Sequence, residues 1–184
     1  MERAVVFAGF GGQGVLLAGR ILARAAMDAG LEVTWLPSYG PEMRGGTANC
    51  TVVLSDEPIG SPIVENPDMV MAMNGPSLDR FEARVAAGGA AIVNSSLIAR
   101  GLKRTDVREV PVAANDLARE LGEPRVANMV ALGAVVRALG VLSLSAVVAA
   151  MAAELGGKGR ERLLTTNREA LERGHAGAAS ALAA

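Results

Sequence analysis

The chain has 184 residues, with 18 Lys and Arg against 19 Asp and Glu, for a formal charge of -1 at pH 7. That length suits one α/β domain with a sizeable core, expected to span residues 1–184, and the balanced charge withholds the summed positive field that nucleic-acid phosphates or an anionic membrane would need. A hydrophobic share of 51% with aromatics at only 3% reads as tight packing of small residues, which excludes disorder.

Residues 5–8 form a short apolar run of strand type. Gly9-Phe10-Gly11-Gly12-Gln13-Gly14 punctuates it, and Val15, Leu16, Ala18, Ile21, Leu22 and Ala25 then recur at helical spacing. Gly30 ends that helix, and residues 33–36 read as a second strand, stopped by Pro37. This much is the opening βαβ unit of a doubly wound sheet. Only residues 37–46 separate the second strand from the alternation Ala48, Cys50, Val52, Leu54, too few for a parallel crossover. Residues 47–54 are therefore expected to run antiparallel or along an edge of a mixed sheet.

Pro58, Gly60, Pro62 and Pro67 mark a loop before an apolar strand at 69–73 and a short helix carrying Leu78, Phe81, Glu82 and Val85. Strands at 90–93 and 107–112 and a short helix at 117–121 follow. From Val126 the chain reads as helical to its end, with a start signal at Ser143 or Ser145, a charged last helix around 160–173 and an Ala-rich tail expected to fray. The apolar helix at 126–139, with Gly133 and several alanines, is expected in the core, against the sheet or a second subunit. Arg80, Glu82 and Arg84, and the charges from Arg160 to Arg173, read as solvated helix faces.

The single cysteine, Cys50, and single histidine, His175, exclude an internal disulfide and leave too few ligands for an iron–sulfur cluster or a zinc site. Cys50 is expected as a buried packing residue and His175 as a surface one. The first residues lack a secretory cleavage pattern, and the longest apolar stretches break well short of the ~20 residues that a membrane span requires. A cytoplasmic location is expected, with neither membrane nor nucleic acid as partner.

Gly9-x-Gly11-x-x-Gly14 matches the phosphate-binding fingerprint between a strand and a helix, where backbone N–H groups can approach an anion. A dinucleotide site also needs an acidic residue at the carboxyl end of the second strand. Glu32 precedes that strand, and Leu36, Pro37 and Ser38 occupy the useful positions. The loop Ser38-Tyr39-Gly40-Pro41-Glu42-Met43-Arg44-Gly45-Gly46 holds the only tyrosine, an ionisable pair and three glycines. It is expected at the same carboxyl rim as the first glycine loop, although Glu42 and Arg44 could equally tie down a structural turn.

GFGGQGV at residues 9–15, SYGPEMRGG at 38–46 and the spacing between them resemble the gamma subunit of the 2-oxoacid:ferredoxin oxidoreductases. The similarity continues through Pro58-Ile59-Gly60-Ser61-Pro62, Pro67-Asp68 and Asn128-Met129-Val130-Ala131-Leu132-Gly133. The resemblance implies a Rossmann-like three-layer α/β domain with a mixed, mostly parallel sheet and a helical C-terminal region. It implies an enzyme that oxidatively decarboxylates a 2-oxoacid, 2-oxoglutarate favoured over pyruvate, to acyl-coenzyme A, CO2 and reduced ferredoxin. Indolepyruvate and branched-chain 2-oxoacids stay open.

By the same resemblance, thiamine diphosphate, magnesium and the iron–sulfur clusters belong to partner subunits, alpha and beta or alpha, beta and delta. Ferredoxin is met through the complex and coenzyme A is the co-substrate. No catalytic residue and no metal ligand is expected in this chain, which binds no cofactor firmly and is expected to be inactive alone. Gly11, Gly12, Gln13, Gly14 and Arg44 are the candidate contacts to coenzyme A. Ser38, Tyr39, Gly40, Pro41, Glu42, Met43, Gly45 and Gly46 form an interface or entry loop, in which Tyr39, Met43 and Arg44 would anchor a partner. Two alternatives remain: a stand-alone nucleotide-binding reductase and a non-enzymatic nucleotide-binding module.

Overall fold

A strand that is apolar on both sides needs a cover on each, and β1 (Glu2–Phe10) is buried from Ala4 through Ala8. In a computed structural model, which describes residues 1–39, 46–157 and 159–183, that strand lies inside a six-stranded sheet. The other strands are β2 (Glu32–Tyr39), β3 (Thr47–Ser55), β4 (Met69–Ala72), β5 (Ala90–Asn94) and β6 (Arg108–Val112), in the spatial order β2-β3-β1-β4-β5-β6. β1, β4, β5 and β6 pair in parallel, while β3 runs antiparallel to both β1 and β2.

The helices divide between the two faces. Val5, Phe7, Cys50, Val52 and Met71 face a core shared with α1 (Val15–Asp28), α3 (Ala114–Glu120), α4 (Ala127–Leu139), α5 (Leu144–Leu155) and α6 (Glu161–Ala183). Val6, Ala8, Val70, Ala91 and Val93 face a smaller core under α2 (Gly75–Phe81) and the 3-10 turn Glu82–Arg84. The mixed three-layer α/β architecture and the helical C-terminal region expected from the sequence are both present. Ser143 is the cap of α5, its Oγ accepting from the Ala146 N–H at 3.2 Å.

The sheet departs from the opening βαβ reading in two ways. β2 does not pair with β1, because β3 folds back between them; the short link from β2 to β3 leaves only an antiparallel return. Pro37 does not stop β2 either. It sits inside the strand opposite Cys50, and it is tolerated because β2 is an edge strand whose outer side has no ladder to break.

α4 is buried from Ala127 to Val136, as expected for a core helix, and α6 is the element laid along it. The contact is made through glycine on both sides. A Cβ on Gly133 would come within 2.8 Å of the His175 backbone nitrogen, and one on Gly174 within 2.6 Å of the Val130 carbonyl carbon. His175 is consequently half-buried rather than a surface residue. Burial, and then the nearby Arg137 charge, hold its pKa below the ordinary histidine value.

Glu82 is the second correction to the surface reading. It is 4% exposed, and it accepts from the backbone N–H groups of Lys103 and Arg104 and pairs with Arg100 at 2.9 Å. Its carboxylate ties the segment before β6 onto the 3-10 turn. Burial alone would raise its pKa, but the Lys103 N–H, Arg100 and the Arg104 N–H together hold it below the usual glutamate value. Arg84 likewise anchors a loop, donating to the carbonyls of Val64 and Glu65. Among the described residues, no helix is long and apolar enough to cross a membrane.

Candidate functional site

α1 leaves β1 toward one face of the sheet and α2 leaves β4 toward the other, so the carboxyl ends of these adjacent strands form the topological switch point, where open α/β sheets hold their ligands. The glycine loop, Gly9 to Gly14, opens here. Its glycines serve conformation first: Gly12 and Gly14 have φ of 97° and 71°, and a Cβ on Gly14 would collide with the Asn128 side chain. Asn128 Nδ2 instead donates to Gly14 O at 3.1 Å, fixing the loop to the first turn of α4.

Gln13 does not point outward. Its Oε1 accepts from the Phe10 N–H at 2.7 Å and from Asn74 Nδ2 at 2.8 Å, and its Nε2 donates to Met73 O at 3.4 Å. The side chain therefore bridges the crevice between β1 and β4. A dinucleotide would need that space for its diphosphate, which strengthens the argument from Glu32, placed at the start of β2 opposite Ser55 and away from the rim. What Gln13 sets here is the geometry of the loop, by holding Phe10, Met73 and Asn74.

The described ends of the second loop, Ser38, Tyr39 and Gly46, reach the same rim as the glycine loop. Gly11 N–H donates to Gly46 O at 2.9 Å, and Phe10 sits opposite Thr47 in the β1–β3 ladder. The Gly11 donor is therefore engaged in joining the loops. Among the described residues, the N–H groups of Gly12 and Gly14 have no backbone or side-chain acceptor. Ser38 and Tyr39 end β2 at this rim, opposite Asn49 and Ala48. Gly40, Pro41, Glu42, Met43, Arg44 and Gly45 lie outside the described residues.

Between the glycine loop and β3 lies a cleft of about 310 Å³, lined by Phe10, Gly11, Gly12, Gly14, the first three residues of α1, Thr47 and Ala48. Val15, Leu16 and Leu17 give it an apolar wall, and α1 begins there with no side-chain cap and no acidic residue in its first turn. The cleft combines apolar side chains with the backbone of the glycine loop in its lining. This chemistry suits an uncharged arm or an apolar side chain carrying an acceptor at one end.

Cys50 takes no part in chemistry at this rim. Its thiol is buried beneath α1, donates to Val15 O at 3.7 Å, and is pushed by burial up to about 12. A set of amides at the strand ends escaped the sequence reading. Asn74 caps α2 by accepting from the Ser77 N–H at 2.9 Å while it holds Gln13, and Asn94 Nδ2 donates to Met73 O at 3.1 Å and to Asn115 Oδ1 at 2.7 Å. An asparagine that directly follows an apolar strand and precedes Gly-Pro, as Asn74 does, is the signal that could have found the first of them.

The family model described as pyruvate ferredoxin/flavodoxin oxidoreductase matches residues 4–177. The chain is 43% identical over 173 residues to the ketoisovalerate oxidoreductase subunit VorA of Methanothermobacter thermautotrophicus, covering 94% of this chain and 36% of that one. It thus spans about a third of the length of that relative. It is 39% identical to the 2-oxoglutarate synthase subunit KorC of Methanothermobacter marburgensis, over 79% of this chain and 82% of that one. Among solved structures, the gamma subunit of a keto/oxoacid ferredoxin oxidoreductase from Geobacter sulfurreducens superimposes with a TM-score of 0.82 at 32% identity, over 97% of this chain and 99% of that one. The 2-oxoglutarate:ferredoxin oxidoreductase of Magnetococcus marinus, solved with 2-oxoglutarate, coenzyme A and succinyl-CoA bound, gives 0.87 at 28% identity, over 97% of this chain and 31% of that one. With residues 4–177 matched by the family model and relatives of this identity covered over most of the chain, the chain belongs to the pyruvate ferredoxin/flavodoxin oxidoreductase family.

Proposed function

We propose that this chain is the gamma-type domain, over residues 1–184, of a cytoplasmic multi-subunit enzyme that oxidatively decarboxylates a 2-oxoacid with coenzyme A and ferredoxin. The observation that carries this reading is the joined rim. Gly11 holds Gly46, so that the glycine loop is tied to the start of β3 beside an apolar cleft. The cleft fits the thin, mostly uncharged arm of coenzyme A, with the N–H groups of Gly12 and Gly14 at its mouth and Arg44 as the charge for a phosphate. Ser38, Tyr39, Gly40, Pro41, Glu42, Met43, Gly45 and Gly46 form the lip that meets the alpha and beta subunits, or alpha, beta and delta.

Thiamine diphosphate, magnesium and the clusters would supply the carbanion and electron-transfer chemistry from those partners. One cysteine, sealed under α1, cannot hold a cluster here. The work of this chain is to shape the entry for the acceptor thiol and exclude water around it. 2-Oxoglutarate is the favoured substrate, because the KorC relative matches this chain over most of both lengths. The 43% identity to a ketoisovalerate subunit supports a branched-chain 2-oxoacid as the second reading.

An affinity-tagged chain in its native host should co-purify with larger subunits that carry thiamine diphosphate and iron. Isolation of the chain alone under mild conditions would refute the assignment. In the assembled enzyme, Arg44→Ala should raise the KM for coenzyme A with kcat nearly unchanged. Loss of co-purification in that variant would reassign the loop from coenzyme entry to subunit docking.

A further inference from the structure

A second cleft, of about 500 Å³, is lined by Leu121, Gly122, Glu123 and Arg125 after α3 and by residues just before and within the first turns of α6. Three of the lining residues are arginines, Arg125, Arg160 and Arg162, against one carboxylate, Glu123. In a chain of net charge -1 this lining carries two positive charges in excess, so the sign is local and does not reflect composition.

The existing contacts leave most of that charge available. Glu123 is engaged by Arg125 alone, through Nε and Nη2 at 2.8 Å each, and Arg160 Nη1 donates to Leu155 O at the end of α5. Arg162 makes no ion pair among the described residues, and its field reaches Glu123, whose carboxyl is held down at about 2 mainly by its bonds to Arg125. Gly122 and Gly159, with φ of 72° and 78°, keep the backbone on both walls free of side chains, and Leu121 and Leu163 add apolar surface. Arg125 also lies three residues before Asn128, which holds the glycine loop, so the cleft opens at the same end of α4 as the proposed coenzyme entry.

We propose that this cleft binds a small phosphate-bearing ligand of nucleoside diphosphate size, with Arg162 and Arg160 on the phosphates and the Leu121–Leu163 wall against the rest. Guanidinium forks match phosphate oxygens bidentately, and a dianionic group balances the two excess charges. The cleft is large enough for a nucleotide and larger than the one beside the glycine loop. The phosphates could belong to coenzyme A lying across the rim or to a separate nucleotide. The proposal does not depend on the glycine-loop reading.

Calorimetric titration of the full chain with ADP, without metal, tests it. Saturable binding is expected, weakened about tenfold or more by Arg162→Ala, partly restored by Arg162→Lys, and weakened by added salt. If coenzyme A displaces ADP better than the dephospho form lacking the 3′-phosphate, the coenzyme is the source. If inorganic pyrophosphate displaces it as well as coenzyme A does, the site takes diphosphates in general. Absence of saturable ADP and pyrophosphate binding at millimolar concentration would overturn the proposal, as would an Arg162→Ala isotherm equal to wild type. Loss of subunit co-purification in Arg162→Ala with ADP binding unchanged would overturn it in favour of a protein contact, whereas failure of the Arg44 test would leave it standing.

Discussion

Gly174→Ala sets two effects of known size against each other. Alanine in the interior of a helix is favoured over glycine by about 0.8–1 kcal/mol, so propensity alone predicts a gain. The new Cβ, however, would lie 2.6 Å from the Val130 carbonyl carbon, where non-bonded carbons prefer roughly 3.5–4.0 Å. The obstacle is backbone of a helix buried from Ala127 to Val136, which no side-chain rotation can move. The two helices must separate by about 1 Å along their contact, and overpacking of that kind costs about 3 kcal/mol, the upper end of its usual range. The expected net loss is about 2 kcal/mol, or roughly 4–8 °C in Tm for a chain of this size. Gly177→Ala is the matched control on the same helix: nothing lies within 4 Å of its Cβ, so it should gain up to about 0.8 kcal/mol. Urea denaturation followed by far-UV circular dichroism measures both. Equal stability of the two variants, or a Gly174→Ala protein more stable than wild type, would refute the close α4–α6 contact.

Three further outcomes can be checked directly. Cys50 should resist a thiol reagent at pH 8 in the folded chain and react at once in denaturant, since burial keeps it protonated; rapid labelling of the native state would contradict its position under α1. Glu82→Gln should cost about 2–3 kcal/mol, because a charge-assisted set of bonds is replaced by weaker neutral ones. Since the folded pKa of Glu82 is depressed, its contribution is present above the ordinary glutamate range and lost as pH falls through the folded value, so the wild type and variant should converge in acid. His175 also has a lowered folded pKa, so folding favours its neutral form; stability should decline as pH falls below about 6.5, and His175→Gln should remove that portion of the profile. The Arg137 charge adds to the depression that burial causes, so Arg137→Gln should bring the folded pKa back toward the ordinary value and make the same decline smaller. An unchanged profile in both variants would exclude His175 as its source.

What was legible in the sequence rested on local chemistry. Glycines between a strand and a helix, a Ser cap at α5, and the short link before β3 each have one favourable backbone solution, so the elements and the antiparallel return could be read from neighbours in the chain. That the end of β2 and the start of β3 lie beside the glycine loop was legible too, because strand direction decides which strand ends emerge together. The side-chain roles were not. That the Gln13 side chain braces the loop could not be read locally, since its partners Met73 and Asn74 lie some 60 positions away in sequence. Glu82 looked like a solvated face until Lys103, Arg104 and Arg100 folded over it.

The same division holds for Pro37 and His175. Local rules treat a proline as a strand breaker, yet whether its missing N–H matters depends on whether a neighbour strand lies on that side, which only sheet order decides. A histidine among charged residues reads as exposed, yet its burial follows from two glycines on different helices that bring α4 and α6 into backbone contact. The sequence by itself determined the elements, their directions and the kind of loop at the rim, because backbone preferences act over a few residues. Tertiary structure alone decided which donors remained available and which charges were buried, because those depend on groups that meet only after the chain has closed.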